Sequence, residues 1–217
     1  MTVLHDAIST NFALAPSSFR AGRWAYGESV HKALSRLGYR VDTSVTPFTS
    51  WVAYGGPDFS HIPLERPGVS LGRVAGTPGG DGLVEVPATI GFLQKNFTRC
   101  NRIWNFIDST RLRSLHVVGV LARLRLLNKV WLSPEASQAA TMIRLSRVLA
   151  EKGYSLINMF FHSTSLKAGL NPFVRTKAEE DRFFGRIRDF LHFSESSGIE
   201  SVTLSQAIDM PFEEQAT

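Results

Sequence analysis

A helical segment that ends in glycine and is followed by a short β-rich run occurs three times in this sequence. This alternation constrains the fold more than any other feature. The three glycines are Gly38, Gly153 and Gly198. Apolar residues recur at helical spacing before each of them, and glycine tolerates the left-handed conformation in which helices commonly end. Because helices that alternate with strands are typical of parallel sheets with crossover helices, we predict an α/β fold.

Capping signals predict where these helices begin. The first helix is expected over residues 27–37. The second is expected to begin at Ser133, with Pro134 in its first turn, and the third at Thr176, whose spacing to Glu179 is that of a capping box. Strands are expected at residues 39–43, 83–90, 130–132, 155–161 and 201–204.

Length and composition limit the class of protein. The chain has 217 residues, enough for one well-buried domain, and its 43% hydrophobic and 20% charged residues are ordinary for a globular protein. The single cysteine, Cys100, excludes an internal disulfide and a cysteine-rich zinc module. The sequence contains no apolar run of about 20 residues and no signal pattern at its start, so we expect a cytoplasmic location and no transmembrane segment.

Two regions interrupt the helix and strand pattern. Residues 44–82 are rich in proline and glycine and are too long for an ordinary connection, so we expect a functional loop over a site. Residues 95–128 are expected to form a basic helical insert. Residues 99–129 contain seven lysines and arginines and only one acid. They form either a solvated basic face over packed leucines or a groove for an acidic glycan or a membrane surface.

Polar side chains that follow β-rich runs are the candidate functional residues. In parallel α/β folds, the side chains just beyond the carboxyl ends of strands converge on one rim, where ligands bind. His162 is at such an end and suits general acid or base chemistry, although a structural histidine bonded to a loop is the alternative. Arg20 and Arg23 suit the binding of a carboxylate or another anion. Asp42 either pairs with one of them or caps a turn.

Four segments resemble motifs of one known family. FRAGRW at residues 19–24 resembles the arginine motif of NodB-type polysaccharide deacetylases, and YRVDTSVTP at residues 39–47 resembles the strand and aspartate motif that follows it. LVEVP at residues 83–87 is similar to the strand that closes the substrate loop, and FFHS at residues 160–163 resembles the late histidine motif. The chain is therefore similar to the carboxyl-terminal two-thirds of such a domain.

The resemblance implies a fold and an activity. It implies a single, N-terminally truncated domain over residues 1–217, with the α/β fold of an incomplete distorted (β/α) barrel. The implied activity is a hydrolase that removes acetyl groups from N-acetylated oligo- or polysaccharides with a divalent metal, usually zinc, whose bound water attacks the amide carbonyl.

The resemblance also implies roles for individual residues. His162 corresponds to the catalytic general acid that protonates the leaving amine. Arg20 corresponds to the residue that orients the catalytic base, and Asp42 to a supporting residue. The expected substrate-binding residues are Gly22, Arg23 and Trp24.

The sequence departs from the family in two respects. Gly22 and Arg23 stand where the arginine motif has a proline and an aromatic residue. The family's aspartate pair and metal-binding histidine pair precede the arginine motif by about a hundred residues, whereas nineteen residues precede Arg20 here. A zinc site needs about three protein ligands, so we expect this chain to bind zinc poorly. We also expect a preceding segment or a second chain to cover the exposed edge of the sheet.

Two further functions stay open at this point. One is a remnant of the same fold that binds a glycan through residues 44–82 and the rim without hydrolysing it. The other is a basic module that recruits nucleic acid or anionic lipid through residues 99–129.

Overall fold

The computed structural model describes residues 1–64, 82–109 and 117–210, and its mixed α/β architecture confirms the predicted class. The helices and strands of the described residues follow one another as α1 (Thr2–Phe12), β1 (Ser18–Phe19), α2 (Glu28–Arg36), β2 (Val41–Asp42), β3 (Thr49–Ser50), β4 (Asp58–Phe59), β5 (Val84–Glu85), β6 (Ile90–Phe92), α3 (Phe97–Ser109), α4 (Val117–Arg123), β7 (Lys129–Trp131), α5 (Ala139–Glu151), α6 (Lys177–Ser196) and α7 (Leu204–Ala207).

The chain divides into two compact units. The first contains Met1–Ala88 together with the chain from Val202 onward, and the second contains Thr89–Ser201. The prediction of one domain over the whole chain stays a prediction.

A three-stranded parallel sheet organises the first unit. Strand β2 lies between β1 and β5. Phe19 is in register with Asp42, which is in register with Glu85. Helix α2 connects β1 to β2, as neighbouring parallel strands require, so the predicted parallel arrangement is confirmed here. The described strands form sheets of three, two and two strands, and none of these sheets closes into a barrel.

Helix α2 shows how local sequence positions this sheet. Glu28 lies in its first turn, where a carboxylate interacts favourably with the helix dipole. Leu34 is fully buried in the unit's core. Gly38 has a φ of 76°, and the N–H of Tyr39 donates to the carbonyl of Leu34 at 3.1 Å, which is the hydrogen bond of a Schellman end. The predicted helix and its glycine cap are therefore confirmed.

The region predicted as a long loop contains regular structure. Strands β3 and β4 form an antiparallel hairpin, with Thr49 opposite Phe59. Phe59 is buried in the core of the first unit. The other buried members of that core are Tyr26, Leu34, Tyr39, Val45 and Leu83. Residues 65–81 of the predicted loop lie outside the described residues.

The second unit contains an antiparallel strand pair, so the parallel arrangement predicted from the alternation is wrong for these strands. Ile90 of β6 lies opposite Trp131 of β7. The N–H of Leu93 donates to the carbonyl of Asn128 at 3.0 Å, so the connection between the strands leaves and returns at the same end. That connection includes α3 and α4, which pack together. Within the predicted basic helical region, α3 and α4 are helical, whereas residues 124–128 are not.

The predicted start of the second helix is wrong. Helix α5 begins at Ala139, after Gln138, and not at Ser133. The N–H of Ala136 donates to the carbonyl of Ser133 at 3.1 Å, which closes a turn before the helix. The Glu135 carboxyl group, which the sequence placed in a helical first turn, accepts hydrogen bonds from a distant segment instead.

The third helix begins as predicted. Thr176 accepts a hydrogen bond from the N–H of Glu179 at 3.3 Å, and the Glu179 carboxylate accepts one from the N–H of Thr176 at 3.0 Å. These two bonds form a capping box. Phe183 is buried, whereas its neighbour Phe184 is 37% exposed, so the predicted phenylalanine stripe enters the core only in part.

Two predicted strands do not form in the described structure. Residues 155–161 are not assigned to a strand, although the N–H of Phe160 donates to the carbonyl of Leu132 at 3.1 Å. Residues 201–203 precede α7, and Thr203 forms a capping box with Gln206 that begins this helix. Capping by Thr203 therefore overrides the β propensity of this run.

Candidate functional site

The carboxyl ends of β1, β2 and β5 bring three ionisable residues of the first unit together. Asp42 and Glu85 are in register at the ends of neighbouring strands, and Arg20 follows the end of β1 by one residue. Electrostatic interactions link Arg20 to both carboxyl groups. The sequence predicted Arg20 and Asp42 at a common rim, and the structure brings them together there.

Asp42 is fully buried and orders the turn that follows β2. Its Oδ2 accepts a hydrogen bond from the N–H of Ser44 at 3.0 Å, and its Oδ1 accepts one from the Ser44 hydroxyl at 2.8 Å. The Ser44 hydroxyl oxygen also accepts from the N–H of Ala21 at 2.8 Å. Asp42 therefore caps the turn, which was one of the two predicted roles, and it ties the turn to the segment that contains Arg20.

Arg20 lies between the rim and an aromatic ring. Its Nε donates to the carbonyl oxygen of Thr43 at 3.2 Å, and its Nη2 donates to the Thr43 hydroxyl at 3.2 Å. Its guanidinium carbon lies 5.3 Å from the centroid of the Trp24 ring. Burial lowers the pKa of Arg20 from its ordinary value, and the negative charge of Asp42 opposes this change.

Glu85 is a member of this cluster that the sequence did not single out as functional. Its Oε1 accepts a hydrogen bond from the N–H of Val45 at 2.9 Å. Its Oε2 is enclosed and has no donor near it among the described residues, although other parts of Glu85 reach the surface. Burial, and next the neighbouring Asp42, raise the pKa of Glu85 well above its ordinary value. When Glu85 is protonated, its enclosed oxygen becomes a donor toward Asp42 and is no longer a buried acceptor without a partner.

An aromatic stack extends from this rim to the surface. The rings of Trp24 and Trp51 are stacked with centroids 6.2 Å apart, and the Tyr54 ring lies 6.2 Å from that of Trp51, tilted by 53°. The indole N–H of Trp51 donates to the Thr46 hydroxyl at 2.7 Å, which fixes the middle ring. Tyr54 is 79% exposed. Trp24 was predicted to bind substrate, whereas Trp51 and Tyr54 were not predicted as site residues.

The other two residues that were expected to bind substrate form an exposed turn next to this stack. Gly22–Trp24 is a 3₁₀ turn, and Gly22 and Arg23 are exposed. Arg23 and Trp24 have φ angles of 54° and 58°, although neither is glycine. Such strain is retained where surrounding structure holds it, and it is enriched at ligand sites.

A second cluster lies in the second unit, around His162. The His162 Nδ1 and the Glu135 Oε2 are 2.9 Å apart, and the backbone N–H of His162 donates to the Glu135 Oε1 at 2.9 Å. The Ser165 hydroxyl also donates to the Glu135 Oε1, and the Asn171 amide donates to the Ser165 hydroxyl oxygen. The Phe173 ring stacks on the imidazole with centroids 5.2 Å apart.

This cluster leaves one imidazole nitrogen available for proton transfer. The Glu135 side chain is 6% exposed, whereas that of His162 is 60% exposed. A carboxylate acceptor at Nδ1 favours a proton on that nitrogen and leaves Nε2 to exchange protons. The sequence predicted His162 but missed Glu135, because the contact joins positions 27 residues apart.

The predicted site residues thus lie in different units. Arg20, Asp42 and the 22–24 turn belong to the first unit, and His162 belongs to the second. Within each unit, the structure adds a carboxyl group that was not predicted as a site residue: Glu85 in the first and Glu135 in the second.

The described residues do not fit a zinc centre. They contain no group of three or more histidine, cysteine, aspartate or glutamate side chains that could hold a metal ion. In the first unit, both oxygens of Asp42 already accept hydrogen bonds from Ser44, and Arg20 places a positive charge beside the pair. Zinc sites require about three protein ligands, so two carboxyl groups beside a cation are insufficient.

Comparisons with models of protein families, with curated proteins and with solved structures find no significant match to this chain. In residues 1–64, 82–109 and 117–210, no helix is long and apolar enough to cross a membrane.

Proposed function

We propose that this chain is a polysaccharide deacetylase-like hydrolase that acts on N-acetylated sugars, with His162 as the proton donor. The hydrogen-bonded pair of Glu135 and His162 carries the proposal, because it leaves Nε2 of an exposed imidazole free to exchange protons. The incomplete (β/α) barrel implied by the family resemblance is part of the same proposal. The parallel strands β1, β2 and β5 support it.

Hydrolysis of an acetamido group breaks the amide C–N bond, adds water to the carbonyl carbon, and yields acetate and a free amine. The departing nitrogen must gain a proton, because an amide anion is a very poor leaving group. His162 donates that proton from Nε2. The buried Glu135 carboxylate, 2.9 Å from Nδ1, accepts from that nitrogen and orients the ring. No step is assigned to a metal, since the described residues do not form a zinc site.

Acetate release from an oligomer of N-acetylglucosamine tests the proposal. We expect release by the full chain, loss of release in His162→Gln, and unchanged release in His192→Gln, which replaces an exposed histidine on α6. Equal activity of His162→Gln and wild type would contradict the role of His162. Absence of acetate release from the wild-type chain would contradict the proposed reaction.

A second function, glycan binding without hydrolysis, is favoured by the aromatic stack of the first unit. Trp24, Trp51 and Tyr54 form a row of aromatic rings that ends at the surface, and Arg20 lies over the Trp24 ring at its inner end. Sugar rings bind to aromatic faces of this kind through their apolar C–H groups. This function requires no metal and no proton transfer.

Calorimetric titration with the same oligosaccharide separates the two functions. Loss of an exposed aromatic contact is worth about 1.4 kcal/mol, so Tyr54→Ala should weaken binding about tenfold. Phe12→Ala is the matched control, because Phe12 is an exposed aromatic residue on α1 of the same unit. Oligosaccharide binding that depends on Tyr54, with no acetate release, would support this second function. Unchanged binding by Tyr54→Ala would exclude the aromatic stack as the binding site.

A further inference from the structure

We propose that α3, α4 and the turn after α4 form a docking surface for an anionic lipid membrane. This lipid-facing surface is defined by exposed apolar side chains together with exposed arginines, all in the second unit. The apolar members are Ile103, Phe106, Val120, Leu124 and Leu126, each at least half exposed. The basic members are Arg99, Arg102, Arg123 and Arg125.

Helix α3 carries both kinds of side chain on one face. Arg99, Arg102, Ile103 and Phe106 are spaced at i, i+3, i+4 and i+7, so they lie above one another on the helix surface. Ile103 is 50% exposed and Phe106 is 62% exposed. Away from this face, the helix buries Phe97, Cys100 and Asn101. The helix is therefore anchored by one face and presents an apolar and basic face to solvent.

The last residue of α4 and the turn after it repeat this combination over four consecutive residues, 123–126. Leu124 and Leu126 are each 61% exposed, and the arginines at 123 and 125 are exposed beside them. The Gln94 amide, just before α3, donates to the carbonyl oxygen of Arg125 at 2.9 Å. Because α3 and α4 also pack together, the two stretches are neighbours in the fold.

The charge of this surface is strongly one-sided. Between residues 99 and 129 the sequence has seven lysines and arginines and one acid, Asp108. Lys129 lies over the Trp104 ring, 5.4 Å from its centroid, so the exposed arginines supply the outward positive charge. Such a surface complements the phosphate groups of anionic lipids.

The exposed apolar side chains distinguish a membrane from other anionic partners. Nucleic acids and acidic glycans are bound mainly through charge and hydrogen bonds, and Leu124 or Ile103 adds little to such contacts. At a lipid interface the same side chains enter the boundary between headgroups and acyl chains, while arginines interact with the phosphates. The combination therefore fits a lipid surface better than a soluble polyanion.

Flotation of the full chain with lipid vesicles tests this inference. We expect binding to vesicles that contain phosphatidylglycerol, weaker binding at higher salt, and little binding to pure phosphatidylcholine. Each arginine near an anionic surface contributes about 1 kcal/mol, so Arg99→Gln with Arg102→Gln should reduce vesicle binding about 30-fold. The matched control is Arg144→Gln with Arg182→Gln, which removes two exposed arginines from α5 and α6 and should leave binding unchanged.

A second pair of variants tests how much the exposed apolar side chains contribute to vesicle binding. Leu124→Gln with Leu126→Gln should reduce vesicle binding about tenfold or more, because two side chains no longer enter the interface. Val3→Gln with Leu4→Gln replaces exposed apolar residues on α1 and should have no effect. Thermal unfolding of each variant by circular dichroism should match that of the wild type.

Several outcomes would overturn the inference. Equal binding to both kinds of vesicle would exclude anionic lipid as the partner. The leucine substitutions could leave vesicle binding unchanged while the chain binds DNA or heparin equally tightly. That result would indicate a site for soluble polyanions. A dimer that the leucine substitutions dissociate, measured by light scattering, would indicate a second copy of the chain as the occupant.

Discussion

The imidazole of His162 and the carboxyl group of Glu135 form a hydrogen-bonded pair in which Nδ1 and Oε2 lie 2.9 Å apart. The other oxygen of Glu135 is occupied by the backbone N–H of His162 and the hydroxyl of Ser165. Both donors fix the orientation of the carboxyl group. A carboxylate acceptor held in this position favours a proton on Nδ1.

Glu135→Gln should reverse the tautomer of His162. The side-chain oxygen of glutamine would still accept from the backbone and from Ser165, so its NH₂ group would face Nδ1 and donate to it. The ring proton would then reside on Nε2. Long-range ¹⁵N–¹H NMR should show an Nδ1–H tautomer in the wild type and an Nε2–H tautomer in the variant.

Glu151→Gln is the control for this experiment. Glu151 lies on α5 with its side chain 62% exposed, 3.8 Å from Lys95. This substitution should leave the His162 tautomer as in the wild type. The same tautomer in wild type and Glu135→Gln would show that Glu135 does not determine it.

Glu85 should make folding stability depend on pH, because burial and Asp42 raise its pKa in the folded chain well above the ordinary value of 4.5. As pH rises above that ordinary value, the unfolded chain loses this proton while the folded chain keeps it. The unfolded state then binds fewer protons, so the contribution of Glu85 to stability falls with rising pH until the folded pKa is reached.

Glu85→Gln should remove this pH dependence, because glutamine retains a donor toward Asp42 and does not ionise. Urea unfolding from acidic to neutral pH should show the variant gaining stability relative to the wild type as pH rises. A variant that instead loses relative stability toward neutral pH would mean that Glu85 is ionised and stabilised by Arg20.

Substitution by alanine should change the stability of the chain in opposite directions at two glycines. Gly38 has a φ of 76°, where a side chain is strained, so Gly38→Ala should destabilise the chain by about 1 kcal/mol. Gly185 lies inside α6, and a Cβ there would meet open space, so Gly185→Ala should stabilise it by about 1 kcal/mol. Urea unfolding measures both, and effects of equal sign would contradict the assigned conformations.

Features that depend on neighbouring residues were predictable from the sequence. The glycine cap at Gly38 and the capping box of Thr176 and Glu179 are confirmed because each involves a few consecutive positions. The common position of Arg20 and Asp42 also followed from local information, since the carboxyl ends of adjacent parallel strands share one edge.

Features that depend on distant pairing were not predictable. Glu85 joins the rim because β5 pairs with β2 in one particular register, and a single sequence does not specify that register. Glu135 had a plausible local role at a helix start, and its contact with His162 outweighs that role. The antiparallel pairing of β6 with β7 is also a contact between residues far apart in the sequence, which local patterns do not specify.

The most direct test of the proposed proton transfer compares how much activity His162→Gln loses on two substrates that differ in their leaving group. Release of acetate from N-acetylated sugar requires protonation of the leaving amine, whereas release from 4-nitrophenyl acetate does not. General acid catalysis contributes about 100-fold or more, so the substitution should reduce kcat/KM by that factor on the sugar and only slightly on the ester. Equal losses on the two substrates, or no loss on the sugar, would contradict the assignment of His162 as the proton donor.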